Sequence, residues 1–476
     1  MMYKQLFATI LFATGALAQT AAQRQLAGLL DVMNRGDRDG ILSYFEKHYP
    51  TSPNKGESAV QLAENTGGFE LLKTLDATET SVTALVTAKS KDQFSKLTLT
   101  AEAPEPHRIT SVRLEPATRP PEYTPVRMTE TAAIAAIRAE TERLASQDKF
   151  AGAVMISKNG APILAAAFGL ADREKNVENR VDTRFRIGSM NKMFTAVATL
   201  QLAQAGKIDL KATVGKYIRD YPNTDIANKV TIEQLLSHTG GTGDFFGPEF
   251  DQNRLSLQKL TDYIKLFGKR GSKFEPGSQW DYSNYGFLLL GVIVQNVSGQ
   301  DYYEYVREHV FKPAGMKRTD SLPESDRVSD RSLGYTRFGE GKATALHSNS
   351  ETLPPRGTSA GGGYSTVEDL CRFASALTGH KLLNPQYTEL LTTGKVDAGP
   401  DKYAFGFFEG RTSESVRWFG HGGGAPGMNG DLRIFSDAGY AVAVLSNLDP
   451  PAAQRVSEFA VDRLPLKSPG TGADGR

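Results

Sequence analysis

Leu26, Leu29, Leu30 and Met33 fall at three- and four-residue spacings, which predicts a helix from about Ala21 to Phe45. From Phe69 to Leu114 the pattern changes. Thr80–Lys89, Lys96–Ala101 and His107–Leu114 are short stretches rich in Val, Thr and Leu, and they read as antiparallel strands. A helix followed by strands makes a small α+β domain, placed at residues 19–115. Pro116, Pro120, Pro121 and Pro125 then stiffen an extended linker over 116–128. Thr129 caps a further helix with Glu130 in its first turn and Ile134, Ile137 and Leu144 on one face. Ala151–Ser157 and Pro162–Gly169 form a hairpin turning at Asn159-Gly160. This second domain extends over 129–464, and residues 465–476, with Ser468, Pro469, Gly470 and Gly472, are expected to be disordered.

The first residues have a different character. Lys4 is followed by an apolar run from Leu6 to Leu17, too short to span a bilayer, and Ala16-Leu17-Ala18 fits a small-x-small cleavage site. Residues 1–18 are therefore expected to be a signal peptide, and the mature chain to be periplasmic or secreted. No later run is long enough for a membrane span. Lys plus Arg (55) balances Asp plus Glu (54), so no global field draws nucleic acid or an anionic surface. The one cysteine, Cys371, cannot form an internal disulfide. It sits in a helical pattern and reads as a small buried hydrophobe. The seven histidines are dispersed without metal-ligand spacing, so neither a metal nor another cofactor is expected.

Three segments carry chemistry. In Phe185-Arg186-Ile187-Gly188-Ser189-Met190-Asn191-Lys192, Ser189 opens a helix and Lys192 follows three residues on, on the same side. A serine hydroxyl needs a base, and burial with the positive helix end lowers a lysine's pKa enough for it to serve. The Ser189 N–H can hold a developing oxyanion. In Trp280-Asp281-Tyr282-Ser283-Asn284-Tyr285-Gly286, Tyr282 and Asn284 can face one cleft at a helix entry. Tyr282, as a phenolate stabilised by Lys192, would take the Ser189 proton and return it to the leaving group. Asn284 would hold Lys192 and a substrate amide. In Gly420-His421-Gly422-Gly423-Gly424, the glycines after a strand-like Ser415–Phe419 let substrate lie against a strand edge. Gly423 and Gly424 join the substrate and oxyanion contacts there, the latter through its N–H, and His421 orients substrate or tunes Tyr282.

In this order the three segments resemble the penicillin-binding protein and class C β-lactamase superfamily, whose order is Ser-x-x-Lys, Tyr-x-Asn and Lys-or-His-x-Gly. The resemblance spans roughly Phe150–Leu464 and includes Leu235-Leu236-Ser237-His238-Thr239-Gly240-Gly241, where His238 reads as structural. It implies an α+β fold with a helical region beside an antiparallel sheet flanked by helices, and metal-free acylation of the serine. Element order in residues 19–115 is faintly similar to nuclear-transport-factor-like cone folds.

The chain departs from class C β-lactamases, which have Tyr-Ala-Asn and Lys-Thr-Gly. The histidine form resembles D-alanyl-D-alanine carboxypeptidases, D-aminopeptidases and some esterases. Gly422 lacks the hydroxyl that helps bind a carboxylate, unless Arg356 or Arg433 replaces it. The expected activity is therefore an exported serine hydrolase acting on ester or amide substrates, including D-amino-acid peptides, with a small molecule or peptide as its only expected partner. A β-lactamase or D-Ala-D-Ala carboxypeptidase is the nearest alternative. A binding protein that stays acylated is another. A third is an α/β-hydrolase using Ser359 of Gly357-Thr358-Ser359-Ala360-Gly361, although its oxyanion motif falls in the wrong order. The oligomeric state is not legible.

Overall fold

The computed structural model describes residues 19–50, 55–89, 93–124, 126–337 and 345–466. The expected signal peptide, the expected tail beyond residue 466 and Pro125 of the expected linker lie outside them. The chain divides into two compact units, one up to Arg119 and one from Pro120 onward.

In the first unit the predicted single helix is two. α1 (Ala21–Arg35) starts at a capping box between Thr20 and Gln23 and stops at Gly36, whose φ of 66° ends the helix. Asp37 then caps α2 (Arg38–His48), and α3 (Lys55–Thr66) follows. Strands β1 (Phe69–Ala77), β2 (Ser81–Ala88), β3 (Phe94–Ala101) and β4 (Ile109–Ala117) form an antiparallel meander in chain order. Leu26, Leu29 and Met33 share a core with Val82, Val86, Leu97 and Leu99. β1 escapes the sequence pattern because Leu71 and Leu75 are exposed, so apolar positions do not alternate with burial. β4 carries through Pro116, so the stretch expected as linker begins as strand.

The second unit is built on an eight-stranded antiparallel sheet. Its strands are β5 (Gly152–Lys158), β6 (Ala161–Phe168), β7 (Val396–Ala398), β8 (Asp401–Tyr403), β9 (Phe408–Arg411), β10 (Arg417–Ala425), β11 (Met428–Phe435) and β12 (Tyr440–Ser446). They lie in the order β7-β8-β9-β10-β11-β12-β5-β6. The β5–β6 turn uses Asn159 and Gly160, both at positive φ (50° and 79°), as a two-residue hairpin requires.

All seven residues of β12 are buried because the sheet is covered on both faces. Val442 and Val444 pack with α4 (Glu130–Ser146) and the C-terminal helix Ala452–Arg463. Ala441, Ala443 and Leu445 face the larger helical region. That region holds α5 (Asn191–Gln204), α6 (Asn284–Ser298) and α7 (Val367–Thr378), and the C-terminal helix is α8. α5 is buried nearly all round, which lets it carry a lysine into the interior. Cys371, on α7, is buried and its thiol is pushed up to about 12 by desolvation, so it stays protonated. Among the described residues, no helix is long and apolar enough to cross a membrane, and no cluster of His, Cys, Asp or Glu could hold a metal.

Candidate active site

Ser189 lies in a single 3-10 turn, Gly188–Met190, that leads directly into α5. Gly188 adopts φ 51°, and a Cβ there would sit 3.1 Å from the Gly424 nitrogen of β10. A Cβ at Gly423 would strike the Ile187 carbonyl oxygen. Both glycines are thus needed for the nucleophile turn to lie flat on the strand. The glycine run is itself strand, not the loop after one, and β9 pairs with β10 only as far as Gly420. Residues 421–425 therefore keep an open edge beside Ser189. Counting back from the two-residue turn at Pro426-Gly427, ladder alternation turns the Gly424 N–H to that edge.

Lys192, one turn along α5, is completely buried. Its amine meets Ser189 Oγ at 3.2 Å, Asn284 Oδ1 at 2.6 Å and the Ala360 carbonyl at 2.5 Å. It also lies 4.7 Å from the Tyr282 ring centroid. Burial pulls Lys192 down to about 7, partly opposed by the negative charge of Asp244. Burial therefore favours the uncharged amine over the ammonium. A neutral amine has two N–H bonds and one lone pair. With its N–H groups on the Asn284 and Ala360 oxygens, the lone pair is left for the Ser189 hydroxyl.

Tyr282 hydrogen-bonds Ser189, and burial pushes its phenol well above the usual range, with Asp244 adding to the rise. This corrects the expected role. Burial favours the phenol over the phenolate that role requires, and the buried Lys192 amine beside Ser189 is the other candidate base. Ser283 caps α6 by accepting the Gly286 N–H, which puts Tyr282 just outside the helix and Asn284 at its first position. The Ser283 N–H donates to His238 Nδ1 at 3.0 Å.

His421 is buried, and both its ring nitrogens have partners inside the chain. Nδ1 meets the Gly422 carbonyl at 2.5 Å, so it carries the hydrogen, and Nε2 accepts from Tyr403 OH at 3.2 Å. Burial, then the nearby Lys192 charge, holds the ring down to about 3, so it is neutral. Of the two expected roles, orienting substrate or tuning Tyr282, the occupied ring nitrogens disfavour direct donation to substrate and leave His421 as a neutral wall beside Tyr282, 6.2 Å away between centroids.

Arg433 is no carboxylate anchor. Its guanidinium is committed to Asp431 (3.0 Å) and Glu458 (3.2 Å). Arg356 lies over the Tyr303 ring, 3.3 Å from its centroid, with Nε on the Ser321 carbonyl. Ser359 is fully buried with Oγ on the Leu288 carbonyl at 3.5 Å, which removes the α/β-hydrolase alternative. Its neighbour Ala360 supplies the carbonyl on Lys192 instead. Sequence reasoning also missed Asp244, which accepts the Asn284 Nδ2 hydrogen at 2.7 Å, and Tyr403. The signal for Asp244 was its place six residues after His238 in the Leu235–Gly241 segment.

A family model described as Beta-lactamase matches residues 136–467. The chain belongs to the beta-lactamase family. Within the family it is 30% identical, over 62% of this chain and 70% of the other, to PbpX of Bacillus subtilis, provisionally named a penicillin-binding protein. A solved penicillin-binding protein from Bacillus halodurans superposes with a TM-score of 0.62 at 30% identity, covering 69% of this chain and 99% of that one. A D-stereospecific amidohydrolase from Streptomyces gives 0.59 at 28% identity, covering 68% and 97%. The penicillin-binding-protein-like α+β architecture expected from the motifs is the one observed, in a family that includes serine hydrolases.

Proposed function

We propose that this chain hydrolyses ester or amide bonds through an acyl-enzyme on Ser189, with D-aminoacyl amides and small esters as its substrate class. One observation carries the reading: the buried Lys192 amine lies 3.2 Å from Ser189 Oγ and is held by the Asn284 and Ala360 oxygens at 2.6 and 2.5 Å, which leaves the lone pair of its neutral form for the Ser189 hydroxyl. Ser189 Oγ bonds to the acyl carbon as its proton passes to Lys192. The carbonyl oxygen gains charge between the Ser189 and Gly424 N–H groups. The bond to the leaving group then breaks. That group takes the Tyr282 phenol proton, which Lys192 replaces. Water enters by the same steps in reverse and releases the acid.

The substrate preference draws on two supports. The similar Streptomyces protein is described as a D-stereospecific amidohydrolase. Gly422 and the occupied Arg433 leave fewer donors for the free carboxylate that β-lactams and D-Ala-D-Ala peptides carry. Export as a periplasmic or secreted protein belongs to the same proposal and rests on the composition of residues 1–18. N-terminal sequencing of the exported protein would then begin at Gln19.

The test compares an activated short-chain ester, a D-aminoacyl amide, a D-Ala-D-Ala peptide and a cephalosporin on wild type and Ser189→Ala. Turnover of the first two, with a trapped adduct on Ser189 by mass spectrometry, is expected. Undiminished turnover in Ser189→Ala would sink the mechanism. A stoichiometric burst without turnover would favour an acyl-binding protein.

A further inference from the structure

Asp244 sits on the loop that follows the Leu235–Gly241 segment, and its carboxylate is divided between two tasks. Oδ1 accepts the Phe245 N–H at 2.7 Å and the Phe246 N–H at 3.3 Å, which closes a turn. Oδ2 accepts the Asn284 Nδ2 hydrogen at 2.7 Å. The other end of that same amide, Oδ1, receives the Lys192 amine.

We infer that Asp244 is a positioning residue, which fixes the Asn284 amide with its oxygen toward Lys192 and sets the charge balance of the catalytic amine. The inference rests on the reading of Lys192 as the base. The amide could turn over only by placing its oxygen against the Asp244 carboxylate and its NH2 against the amine. Acceptor would then face acceptor at the carboxylate, and the amide NH2 would compete with the Ser189 hydroxyl for the amine's lone pair. Asp244 forbids that arrangement, and so keeps the Lys192 N–H bonds on oxygens and its lone pair on Ser189.

Asp244 also supplies the negative charge that acts on Lys192 from this side. The other titratable groups around the amine are the Tyr282 phenol and the rings of His238 and His421, whose burial keeps them uncharged in the working range. Nearby cations are already committed elsewhere. Arg270 pairs with Glu249 and donates to the Asp244 backbone carbonyl, and Lys273 pairs with Asp281 at 3.1 Å. A negative charge favours the ammonium form. Removing it lets Lys192 stay neutral to lower pH.

The experiment is the pH profile of kcat/KM for an activated ester with wild type, Asp244→Asn, Asp244→Ser and Asp244→Glu. Asp244→Ser keeps an acceptor for the Phe245 and Phe246 N–H groups and so protects the turn. Both uncharged variants are expected to move the acid limb to lower pH by about half a unit or more. They should also lose about tenfold or more in kcat as the amide lock is released. Asp244→Glu is expected to restore the limb position. Titration of the Lys192 signal in 13C-lysine-labelled protein reads the same shift without turnover. A limb and a lysine titration unchanged in folded Asp244→Ser would overturn the inference and leave Asp244 a structural turn residue. Full activity in Lys192→Ala would instead remove the base assignment beneath it.

Discussion

The rings of His238 and Tyr282 lie 4.2 Å apart between centroids, tilted by 41°, and that contact sets where the phenol stands. His238 adopts φ 59°, accepts the Ser283 N–H, and is walled by Trp280, Phe287 and Tyr403 as well. Burial holds its pKa far below the ordinary histidine value, so it is a neutral prop and not a base. His238→Ala removes the ring and the acceptor, and alanine tolerates the positive φ of this position less well than histidine. It is expected to cost about 2–4 kcal/mol of stability and to lower kcat as Tyr282 drifts. His238→Asn tolerates the positive φ and keeps an acceptor, so it should recover part of the stability but less of the kcat. Thermal unfolding and steady-state kinetics on both variants separate the two effects.

The acid limb of kcat/KM should report Lys192. Its pKa is lowered to about 7, so the reactive neutral amine is lost as pH falls through about 7, and the rate falls with it. His421, held near 3, contributes no limb in this range, and Tyr282, pushed up by burial, remains a proton donor well into alkaline solution. A profile flat between pH 5 and pH 8 would contradict the base assignment.

Two serines in glycine-bearing motifs compete in the sequence, and the structure separates them by burial. Ser359→Ala removes a hydroxyl packed against α6 and should leave turnover within a few-fold of wild type, with a stability change of about 1 kcal/mol. Ser189→Ala is expected to abolish acyl-enzyme formation and lower kcat by several orders of magnitude. Parallel mass spectrometry and ester kinetics check both. Loss of activity in Ser359→Ala alone would reverse the assignment.

Much of the fold was legible because its signals were local. The Asn159-Gly160 turn, the Thr129 cap and the buried face of α5 each follow from a handful of neighbouring residues. The split of the first helix at Gly36-Asp37 was equally local and was overlooked within a longer apolar pattern. At the site, Ser189, Lys192, Tyr282 and Asn284 were legible as motif positions, and the structure brings them together. Their protonation was not legible, because it depends on burial by residues far apart in sequence: the Ala360 carbonyl, the Tyr403 ring, the Asp244 carboxylate. The same limit hid the fate of His421. Nothing within its glycine run shows that Tyr403, from another strand, takes its Nε2.

Gly422 tests whether a missing hydroxyl limits the substrate range. A Cβ at this position would stand 3.3 Å from Gln454 Nε2 and 3.7 Å from Asp431 Oδ1, on the face of β10 turned toward α8. The near neighbour is the far end of a flexible side chain, so Gly422→Thr should fold with a stability change of about 1 kcal/mol or less, helped by the better strand preference of threonine. A rotamer that turns the new hydroxyl away from Gln454 would bring it to the open strand edge as an added donor. It is expected to raise kcat/KM for a cephalosporin or a D-Ala-D-Ala peptide severalfold relative to an uncharged ester, because a carboxylate gains a partner it lacked. Pairing the change with Gln454→Ala removes the one close contact and should strengthen the effect if crowding limits it. An unchanged ratio in both proteins, with folding intact, would mean that something other than this hydroxyl sets the preference, and Arg356 over Tyr303 would become the group to probe.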